Sequence, residues 1–261
     1  MTSKFQHIYG PVYSWRLGMS LGIDPLSTDK KVCNFDCVYC QLGKTKEFTN
    51  ERKIFVATND ILDEIQVLPY IPLDYLTISG RGEPTLAKNL GEVIMGLREI
   101  RDEKIAVITN SSLLDREDVR ADLLLADYVI AKLDVYSQET LESIDGAMAE
   151  YKFRKIIKGI MEFHEVFKGR LALQIMFVEH NKKDAARLAK LASIIDPHEV
   201  QLNTPMRPSG VRFLSVQEME EIRQHFKGLP VSCVYDAELK NVEPLNKKDT
   251  IRRHGYFKKR F

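Results

Sequence analysis

Short β-rich runs alternate with amphipathic helical stretches along most of this chain, and that alternation limits the fold more than any other feature. Strand-like runs lie at Ser20–Asp24, Tyr75–Ser79, Ile105–Thr109, Tyr128–Leu133, Leu171–Val178 and Glu199–Leu202. A helical pattern follows each of them: Asn59–Leu68, the stripe from Leu86 to Ile100, Arg116–Leu125, Tyr151–Phe167, Asp184–Ile195 and Ser215–Phe226. The last helix opens with a serine cap and a glutamate three residues on. Repeated alternation of this kind implies parallel βαβ units. Six units are fewer than the eight of a closed (β/α)8 barrel. The expected architecture is therefore α/β, a partial, open (β/α)6 TIM-like barrel. A doubly wound open sheet is the alternative, because periodicity does not separate the two. In both, ligands sit at the C-terminal ends of the strands.

From Pro230 the pattern weakens to one short apolar strand, Val231–Tyr235. This divides the chain into a core, residues 1–229, and a C-terminal extension, residues 230–261. The extension ends in a basic tail, with Arg252, Arg253, His254, Lys258, Lys259 and Arg260 interleaved by Tyr256, Phe257 and Phe261. Basic groups with aromatics suit RNA, through phosphate pairing and base stacking. The same residues also suit a tail that is solvated or packed on the barrel rim.

Composition narrows the partners. There are 38 Lys and Arg against 37 Asp and Glu, so no global field draws the chain to nucleic acid or acidic lipid. The beginning, MTSKFQHIYG, carries no apolar signal core, and no run reaches the length of a membrane span. A soluble, cytoplasmic protein with no membrane partner is expected.

Three of the four cysteines, Cys33, Cys37 and Cys40, fall in one loop, CNFDCVYC. Thiolates this close can wrap one compact inorganic cube, as a four-iron cluster requires. A structural zinc ion takes four ligands. The fourth cysteine, Cys233, is far along the chain, and none of the histidines sits at finger spacing. Zinc completed from a distance, or buried inert thiols, are the competing readings. Three ligands on a four-iron cluster leave one iron free for a substrate or cofactor.

Cysteines spaced three and then two, with an aromatic before the last, resemble the signature of the radical S-adenosylmethionine superfamily. The stretches RLGMSLGIDPL, KVCNFDCVYCQLGKT, ISGRGEPTL, AKLDVYSQETLESIDG and QLNTPMRPS resemble a poorly characterised branch related to the wyosine-forming tRNA enzymes. The likeness runs from about Pro11 to about Arg207 and implies the superfamily's core fold over residues 1–229. It implies two cofactors, a 4Fe–4S cluster on Cys33, Cys37 and Cys40, and S-adenosyl-L-methionine on the open iron. It also implies reductive cleavage of that cofactor to a 5′-deoxyadenosyl radical, hydrogen abstraction from a substrate, and an electron donor such as ferredoxin or flavodoxin.

The remaining candidates fall at strand ends. Tyr39, before Cys40, is placed by the resemblance beside adenine. Gly80, Gly82 and Glu83 lie in a turn that resembles the superfamily's glycine-rich seat for the methionine amine, with Arg81 between the two glycines where the usual form has them adjacent. Thr109, Asn110 and Ser111 end the third strand with side chains suited to a ribose or carboxylate, or to a helix cap. Lys132 and Asp134 lie two apart on a strand and so face the same way, as ligand groups or as an ion pair. Gln174 and Asn203 suit adenine or ribose, and Arg207 an anionic substrate group. Cys233 reads as a small buried hydrophobe. The wyosine-forming archaeal enzymes carry a second cluster on three further cysteines, and this chain has one to spare. Three functions follow: a radical enzyme acting on RNA, tRNA or a smaller substrate; a glycyl-radical-type activase of a partner protein; or a non-catalytic metal-containing RNA-binding module.

Overall fold

The structure, a computed structural model, describes residues 5–237, 240 and 242–254. The strands β1 (Ile8–Ser14) and β2 (Gly18–Ile23) form an antiparallel hairpin. Within and just after the cysteine loop, β3 (Val32–Cys33) and β4 (Glu47–Phe48) make a small parallel pair. The main sheet continues with β5 (Tyr75–Ile78), β6 (Lys104–Thr109), β7 (Tyr128–Lys132), β8 (Arg170–Met176), β9 (Glu199–Asn203) and β10 (Val231–Cys233). Its order is β1-β2-β5-β6-β7-β8-β9-β10, and every pairing beyond the first hairpin is parallel.

That order decides between the two expected architectures. Each crossover moves one place in the same direction along the sheet. Right-handed crossovers that never reverse place all their helices on one side and curl the sheet round the other. A doubly wound sheet needs a reversal, and there is none. β1 and β10 stay at the edges, so the barrel is partial. The helices are α1 (Thr58–Gln66), α2 (Leu90–Ile100), α3 (Glu117–Leu123), α4 (Gln138–Ser143), α5 (Phe153–Val166), α6 (Ala185–Ile195), α7 (Val216–Gln224) and α8 (Lys247–His254).

Strand alternation sorts the two faces. Leu76, Ile78, Ile105, Val107, Val129, Leu171, Leu173, Ile175, Val200 and Leu202 are fully buried in the large apolar core. The alternate set is smaller or more polar: Thr77, Ser79, Ala106, Ile108, Lys132, Ala172, Gln174, Gln201 and Asn203. Register aligns members of this second set across the sheet, with Thr77 opposite Ala106, Lys132 opposite Gln174, and Gln174 opposite Gln201. One face is therefore committed to packing, while the other packs a small cluster of Ala106, Tyr128, Ile130 and Ala172 and, through Ser79, Ile108, Lys132, Gln174 and Asn203, lines a cavity.

Several elements fall outside the sequence expectation, β1, α4 and α8 among them. β1 precedes the first expected strand and is an edge strand with a register shift between Tyr9 and Val12. Gly10-Pro11 lies at that irregularity, where a residue without an N–H is tolerated, and it also hides the strand's alternation. α4 is a short helix capped reciprocally by Ser137 and Thr140. The short strand expected after Pro230 is β10, and what the sequence did not show is that it pairs in parallel with β9 and extends the core sheet.

Candidate active site

At the C-terminal ends of the strands a cavity of about 260 Å³ opens beside the cysteine loop. Cys33, Cys37 and Cys40 line it together with Tyr39, Gly80, Gly82, Glu83, Asn110, Lys132, Gln174, Asn203 and Arg207. One cavity thus gathers strand-end residues from β5 through β9. A broader cleft of about 520 Å³ lies elsewhere, among Asn50, Arg52, Asp118 and Lys155, and contains no cysteine.

The loop is fastened to the sheet through the glycine turn. Val32 N–H donates to the Arg81 carbonyl at 3.1 Å, and Glu83 N–H returns to the Val32 carbonyl at 3.3 Å. A Cβ at Gly82 would stand 1.6 Å from the Val32 oxygen, so only glycine permits this approach. Glu83 is buried, and burial pushes its carboxyl above the usual range against the pull of its donors. It accepts from Thr85 Oγ1 and Thr109 Oγ1 at 2.7 Å each, and from the N–H groups of Asn110 and Thr85 at 2.7 and 3.1 Å. The carboxylate therefore ties the end of β6 to the turn after β5. The Asn110 side chain in turn donates to Asn34 Oδ1 at 2.7 Å and reaches Cys33 Sγ at 3.8 Å.

On the other wall, Tyr39 is buried and donates to Asp134, and it stands 2.9 Å from Asp145 Oδ1. Lys132 Nζ pairs with Asp134 at 3.0 Å and lies 4.9 Å from the Tyr39 ring centroid. Asp134 also accepts from Met176 N–H, and it does not line the cavity. Its carboxylate holds Tyr39, Lys132 and the end of β8 in place, which leaves it turned to protein partners. Burial, reinforced by Asp134, pushes Asp145 up to about 7. Gln174 and Asn203 both reach the cavity; Gln174 Nε2 is 3.5 Å from Gln201 Oε1, and Asn203 Oδ1 accepts from Thr204 N–H at 2.9 Å. Ser111, by contrast, is buried outside the cavity lining, and so is Cys233 in β10.

Sequence reasoning missed Lys31, Asn34 and Asp145; the partners of Asn34 and Asp145 are distant in the chain, whereas those of Lys31 are close. Lys31 is a buried lysine whose Nζ is 3.3 Å from the Gly43 carbonyl and 3.7 Å from Asp36. Burial lowers its ammonium, but Cys40, Cys33 and Cys37 together outweigh that and raise it. The thiols show the converse: burial pushes Cys33 up to about 12 and Cys37 well above the ordinary range. Buried thiols of this kind become thiolates when a metal takes the proton's place. Among the described residues no three His, Cys, Asp or Glu side chains are arranged to hold a single metal ion. A cube presents a separate iron to each thiolate, so its ligands stand wider apart. The donor set fits a cluster.

The family model of the radical SAM superfamily matches residues 30–192. This chain belongs to the radical SAM superfamily. As a radical SAM protein it is 39% identical over 251 residues to a UPF0026 protein of Synechocystis sp., covering 93% of this chain and 92% of that one. It is 36% identical over 221 residues to a UPF0026 protein of Methanocaldococcus jannaschii, covering 82% and 68%. Among solved structures, the radical SAM fold here matches Streptococcus suis SuiB bound to precursor peptide SuiA, with TM-score 0.62 at 13% identity over 81% of this chain and 48% of that one. It also matches anSMEcpe with bound AdoMet, with TM-score 0.61 at 16% identity over 83% and 64%. The chain spans about half the length of SuiB. The superfamily's cofactors are a 4Fe–4S cluster and S-adenosylmethionine, and the protein is an enzyme of that class.

Proposed function

We propose that Cys33, Cys37 and Cys40 hold a 4Fe–4S cluster with one iron left for S-adenosylmethionine, and that the cavity positions a substrate against it. The supporting observation is the convergence of the three thiols with polar residues from five strand ends on one cavity. When bound, the cluster supplies one electron that cleaves S-adenosylmethionine to methionine and a 5′-deoxyadenosyl radical, which takes a hydrogen atom from the substrate. The chain's own residues bind and orient. Gly80 and Gly82 offer backbone at close range to the methionine amine, with Glu83 fixing the turn. Lys132 presents an ammonium to the methionine carboxylate. Tyr39 lies beside the adenine, its hydroxyl held by Asp134 and Asp145. Asn110, Gln174 and Asn203 give hydrogen bonds to ribose or adenine, and Arg207 binds an anionic substrate group. Lys31 offsets the negative charge gathered at the thiolates. Ferredoxin or flavodoxin is the electron donor.

Substrate identity divides along the same walls. The cavity volume suits a small molecule or one extruded group of a larger one. Of the basic tail, Arg252 pairs with Asp29 at 2.7 Å and Arg253 with Asp24 at 2.9 Å. Arg253 is buried on the barrel rim and gives RNA no free grip, whereas Arg252 stays partly exposed beside an exposed Asp29; Tyr256, Phe257, Lys258, Lys259, Arg260 and Phe261 lie outside the described residues. Cys233 is remote from the cavity, which argues against a second cluster of the wyosine-forming kind. Among the described residues no helix is long and apolar enough to cross a membrane.

The test is anaerobic reconstitution with iron and sulfide, then dithionite and S-adenosylmethionine, with 5′-deoxyadenosine quantified against Cys37→Ala. Product from the wild type and a loss of at least a hundredfold in the variant is expected. Tight zinc in place of any four-iron spectrum would sink the proposal and leave a metal-containing binding module.

A further inference from the structure

The cysteine loop meets solvent through a single strand. On one side β3 bridges to Gly82 of the glycine turn, and on the other it pairs with β4. Beyond β4 the small sheet has no further strand among the described residues, and both residues of β4 are exposed. The pairing sets Phe48 directly across from Cys33. Neighbouring strands lie only about 4.8 Å apart. Thr49 N–H also donates to the Cys33 carbonyl at 3.4 Å, and the N–H groups of Lys46 and Glu47 reach the Lys31 carbonyl at 3.1 and 3.2 Å. One layer of chain thus separates the first thiol residue from water, and neither residue of that layer lines the cavity.

This outer face has an apolar centre and a basic surround. Phe48 is 47% exposed and Ile54 59%. Lys30, Lys44 and Lys46 are exposed and make no ion pair among the described residues. Between Lys44 and Lys53 the acids are Glu47, which Lys53 pairs at 3.3 Å, and Glu51. The chain as a whole is almost neutral, so the excess of positive charge here is local. Lysines on an edge strand keep it from pairing with another chain. An exposed phenylalanine beside them works against that role and suits a face that a partner covers.

We propose that β4 and its flanking lysines, with Phe48 at the centre, are the docking face for the protein that delivers the electron, an acidic, low-potential one-electron carrier. This rests on the functional reading above, in which the cavity is taken by S-adenosylmethionine and substrate, so the carrier approaches from outside. One electron leaves the carrier, which is oxidised, and reduces the cluster on the three cysteines; no proton or group moves with it. Redox encounters commonly bury less than about 1,200 Å², so a small patch suffices. Charge complementarity sets how fast and how selectively such partners meet.

The probes are an acidic flavodoxin and, separately, an acidic ferredoxin, each with the full-length, cluster-loaded protein. The oxidised carrier is titrated calorimetrically into wild type and into Lys44→Glu/Lys46→Glu. The reduced carrier is mixed anaerobically with each, and the cluster absorbance is followed. Charge reversal should weaken binding and slow cluster reduction at least tenfold, while reduction by the small methyl viologen radical cation is not slowed. Added chloride should weaken wild-type binding, and Phe48→Ser should weaken it with the salt dependence unchanged. If the double variant loads less iron and sulfide, the salt dependence of the wild type decides. Binding of neither carrier, equal affinity in wild type and double variant, or wild-type affinity that ignores salt overturns the docking face. A wild-type dimer that the charge reversal splits also overturns it, since a second copy would then be the occupant. Failure of the wild type to form 5′-deoxyadenosine with dithionite counts against the parent reading instead.

Discussion

Gly82 shows how much one residue decides. Its missing side chain lets Val32 and Gly82 bridge, and that bridge seats the cysteine loop on the sheet. The atom that a Cβ would strike at 1.6 Å is backbone oxygen, which cannot rotate away. Gly82→Ala should therefore cost about 3 kcal/mol or more, read as a lower urea midpoint together with lost S-adenosylmethionine binding. His254 makes a second residue-scale prediction. Arg207 has only donors to offer, so His254 Nε2 accepts and the ring is neutral. Burial, then Arg207 and Arg16, hold its pKa well below 6.5. Below pH 6.5 the unfolded chain thus binds a proton that the folded chain refuses. Stability should be full above that pH and fall as pH drops beneath it, with a slope of at most about 1.4 kcal/mol per pH unit. Urea titrations from pH 5 to 7.5 on wild type and His254→Asn check this; equal slopes would remove His254 as the cause. The cysteines and the glycine turn were legible in the sequence because their spacing is local. Asn34 and Asp145 were not, since their partners are remote in the chain, and Lys31 was not, since no local pattern announces that a lysine beside the cysteines is buried. The Tyr39 hydroxyl finds its carboxylates 95 and 106 residues away.

At the scale of elements, legibility followed periodicity. The core strands and their long helices repeat at 2.0 or 3.6 residues and were readable within a residue or two, except that α2 begins at Leu90, four residues after the expected start, whereas β1 is broken by Gly10-Pro11 and α4 is only six residues long. α8 was hidden differently: its sequence is basic enough to read as a solvated tail. Its placement comes from contacts no local pattern announces. Gly10 N–H donates to Thr250 Oγ1 at 2.9 Å, and Arg253 is buried against a fully buried Asp24. Asp24 also accepts from the N–H groups of Leu26 and Ser27 at 3.2 and 3.0 Å, so it closes the turn after β2. Removing one partner of a buried pair strands the other charge. Arg253→Ala should cost about 3 to 5 kcal/mol. Arg252 pairs instead with Asp29, which is 96% exposed, so Arg252→Ala should stay within about 1 kcal/mol. Chemical denaturation of the two variants side by side tests the contrast, and equal losses would show that α8 docks by something other than this pair.

For the molecule as a whole, the question is whether residues 230–261 fold apart from the core or complete it. The sequence changes character at Pro230, which favours a boundary there. The contacts run the other way. Val231, Ser232 and Cys233 align with Val200, Gln201 and Leu202, so the extension supplies the last parallel strand. Ser232 Oγ donates to Glu199 Oε1 at 2.5 Å, and Leu245 N–H reaches the Gly10 carbonyl at 2.6 Å. The extension thus touches both edges of an incomplete barrel, β9 on one side and the β1 hairpin on the other. It also delivers Val234, Arg253 and His254 to the cavity wall. A chain ending at Leu229 would leave β9 as an open edge and Asp24 without its cation. Losses of that kind sum to at least 3 kcal/mol, and in a chain of this length each kcal/mol lowers the melting temperature by roughly 2–4 °C. Truncation after Leu229 should therefore lower the melting temperature by roughly 6 °C or more and remove the single cooperative transition expected of the full chain. Calorimetry of both forms measures it. A truncated protein that melts like the full chain would mean that the extension is an appendage, and that the cavity is built by residues 1–229 alone.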